Sequence, residues 1–181
     1  MTLTKSLTRV SLVTGALLLI PLVAMQFTRE VNWTPSDFVI MGALLFGTGF
    51  VLELVASRPS PLVYRLAAVG AVLTGLLLIW VNLAVGFIGS GPNPANLLCG
   101  AVPVIGLVGA FAGRFKPRGL AYALAATALA QLLVPVLALL VWHMPVKPQE
   151  WIASAVFALL WLVSAGLFQR ASRHQVPAQR A

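Results

Sequence analysis

Acidic side chains are almost missing from this chain: four among 181 residues, against twelve lysines and arginines. Paired carboxylates for acid–base hydrolysis are therefore absent, as are the GxSxG elbow of a serine hydrolase and the P-loop of a nucleotide-binding fold. Cysteine is reduced to Cys99, which excludes an intrachain disulfide, a CxxC motif and a cysteine metal cluster. The two histidines are His143, at the end of an apolar run, and His174, in a basic tail. They form no pair at one depth that could hold haem, and no HExxH spacing occurs. The chain reads as non-enzymatic, with no cofactor and no metal, because two convergent catalytic groups cannot be assembled at one depth.

Apolar residues are abundant instead: 60% of the chain, with a mean hydropathy of +0.96. That exceeds what one soluble core can hide. Breaks at charges, proline and glycine leave spans at Val10 to Phe27, Phe38 to Ala56, Leu62 to Gly89, Asn96 to Gly113, Leu120 to Trp142 and Trp151 to Phe168. Each is close to the run of about 20 residues that crosses a bilayer. The fold class expected is all-α: a polytopic membrane protein, a bundle of six transmembrane helices. Residues 1–9 form a cytoplasmic N-terminus, 10–168 one transmembrane domain and 169–181 a basic cytoplasmic tail that touches anionic lipid. Lys5 and Arg9 ahead of an apolar stretch also suit a secretory signal, but the run is long for a signal core and reads as an uncleaved first helix, bent at Pro21.

A formal net charge of +8 would suggest nucleic acid in a soluble protein. Here the cations sit at the ends of apolar runs and alternate between sides, which leaves membrane lipid, and not nucleic acid, as the partner. Lys5, Arg9, Arg58, Arg65, Arg114, Lys116, Arg118, Arg170, Arg173 and Arg180 share one side, and only Arg29 and Lys147 lie on the other. The positive-inside rule then puts both termini in the cytoplasm. Trp33, Trp80, Trp142 and Trp151 near the outer ends and Tyr64 and Tyr122 near the inner ends fit the aromatic belts. Trp161 stands mid-span, as a side chain filling a gap between helices.

Two segments carry local signals. In "NWTPSD" Thr34 caps a helix, Pro35 suits its first turn and Asp37 complements its dipole, which also accounts for the formal glycosylation sequon at Asn32. In "WVNLAVGFIGSGPNPANLLCG", residues 80–100, Asn93 caps helix four, Pro94 takes its first position and "GSG" ends helix three. This stretch reads as a bend, and whether its short, uncharged loop dips into the bundle stays open. The alternative is a ligand-lining outer loop with Ser90, Asn93 and Asn96 as its site.

Small residues recur at helical spacing: Gly42, Phe46, Gly49 and Glu53 on helix two; Ala71, Gly75, Asn82, Gly86 and Gly89 on helix three; Val102, Gly106, Gly109 and Gly113 on helix four. Such stripes let helices approach closely. Glu53, the one acid inside a span, pairs with Arg58, Arg65 or Arg9 in one reading. In the other it joins Asn82 and Gln131 in a polar track for a proton, ion or small neutral solute.

The stretches "NWTPSDFVIMGALLFGTGFVLEL", "WVNLAVGFIGS" followed by "NPANL", and "RFKPRGLAYALAATALAQ" resemble an uncharacterised family of small six-helix bacterial inner-membrane proteins, over roughly residues 30 to 168. The resemblance implies a multi-pass protein of the bacterial inner membrane and brings no activity. The family's outer loop often has acidic residues between Ser90 and Asn93, where this chain has Gly91 and Pro92, so a cation-attracting loop does not carry over. Two functions fit: a structural or accessory component that binds another membrane protein or itself through its small-residue faces, or a small permease or channel lined by Glu53, Asn82 and Gln131.

Overall fold

The computed structural model describes residues 3–89 and 93–174. Within them the chain forms six helices: α1 (Leu3–Phe27), α2 (Pro35–Ser57), α3 (Leu62–Val85), α4 (Ala95–Ala112), α5 (Pro117–Trp142) and α6 (Pro148–His174). All are long and apolar enough to cross a membrane. They pack as two compact units, Met1–Pro59 and Ser60–Ala181.

The first unit is the α1–α2 hairpin. α2 starts where expected: Thr34 Oγ1 accepts the Asp37 amide at 3.4 Å, and Asp37 Oδ2 accepts the Thr34 amide at 2.7 Å, a reciprocal capping box. Trp33 and Phe38 stack edge to face at 5.2 Å across the cap, completing a hydrophobic staple. The α2 stripe faces α1: a Cβ at Gly42 would touch Leu18 Cδ1 at 3.4 Å, and one at Gly49 would crowd Val10 Cγ1 at 2.9 Å. α1 itself begins at Leu3 instead of Val10, because nothing between Lys5 and Arg9 breaks a helix.

The second unit is a ring of four helices in which α6 lies between α3 and α5, α5 lies between α6 and α4, and α3 and α4 touch only lightly. Its core runs along α5 and α6, where Leu120, Leu124, Val134, Phe157, Trp161 and Phe168 are buried. Trp161 does fill a gap: its Cη2 lies 3.5 Å from where a Cβ on Gly75 would stand. The α4 stripe faces α5, with Gly106 against Thr127, Gly109 against Ala123 and Gly113 against Gly119.

One boundary differs in a way that matters for the site. α3 does not run to Gly89 but stops at Val85, and Gly86 (φ 76°) and Gly89 (φ 65°) turn the chain through left-handed backbone. Phe87 and Ile88 between them are buried, so non-helical backbone enters the bundle. α6 continues to His174, across the first residues of the expected tail.

Candidate functional site

Glu53 is held by α1. Arg9 Nη2 donates to its Oε1 at 2.8 Å, and Ser6 Oγ donates to the same oxygen at 2.8 Å. Asn82 and Gln131 belong to the other unit, each with its own neighbours.

Asn82 is part of a set that exists to satisfy the re-entrant backbone at 86–89. The Gly86 amide still reaches the Asn82 carbonyl at 3.1 Å, but the amides of residues 87–89 have no helical acceptor, and buried amides without one are costly. Asn96 Oδ1 accepts from both the Phe87 amide at 3.0 Å and the Ile88 amide at 2.8 Å. Asn82 Oδ1 accepts a longer bond from Phe87 at 3.3 Å, while its Nδ2 donates to the Asn96 carbonyl at 3.1 Å. Asn93 Nδ2 donates to the Ile88 carbonyl at 2.7 Å, and its Oδ1 accepts the Asn96 amide at 3.1 Å, which is the capping role expected of it at the start of α4. Glu150, buried at 8% exposure, completes the set: its Oε1 accepts the Gly89 amide at 3.0 Å and its Oε2 the Lys147 amide at 2.9 Å. One carboxylate thus ties the loop to the first turn of α6. Ser90, the remaining residue of the expected loop site, lies outside the described residues.

Gln131 is fully buried in the α5–α6 seam. Pro135 stands four residues further along α5 and has no N–H, so it removes the helical donor for the Gln131 carbonyl. Ser154 of α6 replaces it, its Oγ donating to that carbonyl at 2.7 Å. Gln131 Nε2 donates back to Ser154 Oγ at 3.4 Å. Among the described residues Gln131 Oε1 has no donor, and neither does Trp161 Nε1 have an acceptor. Removing the hydroxyl in Ser154→Ala leaves a second buried oxygen without a partner, at a cost of about 1–3 kcal/mol. Thermal unfolding of the purified protein in detergent should register that loss, and Ser154→Thr, which keeps the donor, should recover most of it.

Two open clefts flank the re-entrant loop. One, of about 370 Å³, is lined by Val81, Val85, Phe87, Lys147, Glu150 and Ala153 among others. The other, of about 670 Å³, lies on the Asn82, Asn93 and Asn96 side with Leu83, Pro94 and Leu97. No group of three or more His, Cys, Asp or Glu side chains suited to a metal ion occurs among the described residues.

Sequence reasoning placed Asn82, Asn93 and Asn96 in one segment but did not foresee their shared purpose. It missed Glu150 and Ser154 as partners of the loop and of α5. The signal for Ser154 was Pro135 itself, since a proline inside an apolar helix demands a donor from elsewhere.

Comparison with known protein families, with curated proteins and with solved structures yields no match to this chain.

Proposed function

We propose that this is a multi-pass protein of the bacterial inner membrane, both termini cytoplasmic, that acts as a structural or accessory component associating with another membrane protein or with itself. The observation that supports this reading is the commitment of the polar groups. Glu53 is neutralised by Arg9, the three asparagines serve loop backbone, and Ser154 serves the carbonyl freed by Pro135. A conduction path needs polar groups free to exchange partners with a solute. The small-residue faces of α2 and α4, expected to carry that association, are instead taken up by α1 and α5. The surface left to an accessory component is apolar, and α4 offers such a face in Leu97, Val104, Leu107, Val108 and Phe111, all exposed.

The second reading, a small permease or channel, is favoured by Gln131 Oε1, a fully buried acceptor with no donor among the described residues. Cysteines placed singly at 53, 82 and 131 in a Cys99→Ala background, labelled from each side of intact membranes with a small charged thiol reagent, separate the two. The accessory reading expects positions 82 and 131 to stay unlabelled and position 53 to react from the cytoplasmic side only. Labelling at all three sinks it and directs attention to solute flux in proteoliposomes.

A further inference from the structure

Buried carboxylates in proteins are ordinarily matched by a cation or a metal. Glu150 is not: the only ion pair among the described residues is Arg9–Glu53. Its two amide bonds occupy one lone pair on each oxygen, and a carboxylate offers about four acceptor sites, so roughly half its capacity is left. Glu150 lines the open cleft of about 370 Å³, a size within the range of about 300–1,000 Å³ usual for small-molecule sites. Lys147 lines the same cleft one helical turn away, is exposed, and forms no ion pair with Glu150. The rest of the lining is the neutral amide of Gln149, the apolar Val81, Val85, Phe87 and Ala153, and Gly86 and Gly89.

From this arrangement we infer a binding site for a short zwitterion, a primary ammonium joined by a few carbons to a phosphate, with the ammonium at Glu150 and the anion at Lys147. A bare cation would meet Lys147 and a bare anion would meet Glu150; a zwitterion satisfies both charges. The apolar walls suit the carbons between the two groups and any acyl chains attached to them. Ethanolamine phosphate has this chemistry, whether as a phospholipid headgroup or as a free molecule. Because Glu150 also holds Gly89, a ligand ammonium on this carboxylate would bear directly on the re-entrant loop.

The test uses the full chain in detergent, stripped of lipid and returned to phosphatidylethanolamine or to phosphatidylglycerol of the same acyl chains, with retained lipid counted by native mass spectrometry. Phosphatidylethanolamine should be retained about tenfold more tightly than phosphatidylglycerol, which lacks the amine. Glu150→Gln disturbs the loop as well as the cleft, so the decisive variants are Ala153→Phe, which fills the cleft, and Lys147→Glu, which reverses the anion-binding charge. Both leave the two amide bonds to Glu150 in place. Each should bring phosphatidylethanolamine down to the phosphatidylglycerol level while thermal unfolding stays cooperative. If soluble phosphoethanolamine displaces the lipid or binds by itself, the headgroup alone is recognised and a free zwitterion is a source; if it does neither while the lipid preference holds, the source is the membrane. Equal retention of both lipids together with no binding of phosphoethanolamine overturns the proposal. So does a preference untouched in Ala153→Phe and Lys147→Glu.

Discussion

Asn96→Ala is expected to destabilise the protein by about 2–4 kcal/mol, since it orphans the buried Ile88 amide, at about 1–3 kcal/mol, and leaves the Phe87 amide only its longer bond to Asn82, a loss of about 0.5–1.5 kcal/mol. Both amides lie in backbone that has left the helix and cannot find a replacement within its own turn. Asn82→Ala should cost less, because the Phe87 amide keeps its shorter bond to Asn96. Asn96→Asp retains an acceptor at the same place and should fall between wild type and alanine. Thermal unfolding of purified variants in one detergent gives the ranking. If Asn96→Ala and Asn82→Ala prove equal and mild, the loop amides find other partners and the account of the three asparagines fails.

Adding one methyl group at Gly119 or Gly113 is expected to be nearly as damaging, by a steric route. A Cβ on Gly119 would lie 2.6 Å from the Gly113 Cα, and one on Gly113 would lie 2.8 Å from the Gly119 Cα. The obstacle is main chain, which cannot rotate aside, so α4 and α5 must separate. Such overpacking costs about 1–3 kcal/mol, and more for a larger group such as valine. Gly109→Ala meets Ala123 Cβ at 2.6 Å, and there the companion change Ala123→Gly should restore much of the loss. The controls point the other way. Gly100 and Gly166 have nothing within 4 Å, so alanine at either should leave stability unchanged or raise it by about 0.5–1 kcal/mol through helix propensity. A uniform response at all five glycines would show that propensity, not the close α4–α5 approach, governs these positions.

The contrast between these two sites also marks how far the amino-acid order could be followed unaided. Helix existence was legible, since six apolar runs with charged or proline-rich breaks have few other folds open to them. The start of α2 was legible to the residue, because Thr34, Pro35 and Asp37 form a local motif whose parts lie within four positions. The close-contact faces of α2 and α4 followed from glycine spacing on one helix. The end of α3 was not legible: "AVGFIG" continues an apolar run, and nothing local says that Gly86 leaves the helix. What holds the chain after α3 is a set of side chains beyond the helix, useful only once folded: Asn96 and Glu150 accept its amides and Asn93 donates to the Ile88 carbonyl. The same holds for Glu150, which accepts from an amide 61 positions earlier, and for Ser154, which is a partner to a carbonyl 23 positions earlier. Local grammar reveals caps and faces, whereas satisfaction of stray backbone groups depends on neighbours that periodicity does not identify.

The distribution of those remote partners has a consequence for how the chain is made. Ser154, Glu150, Trp161 and the serine that crowds Gly70 all reside on α6, which is synthesised after α3, α4 and α5. Until it arrives, the Gln131 carbonyl and the Gly89 amide have been synthesised without their partners, and the glycine-lined side of α3 has nothing to rest on. A nascent chain halted between Gln131 and Pro148 would therefore carry two polar backbone groups, the Gly89 amide and the Gln131 carbonyl, without their α6 partners. The arrival of α6 then meets several separate demands of the preceding three helices in a single addition.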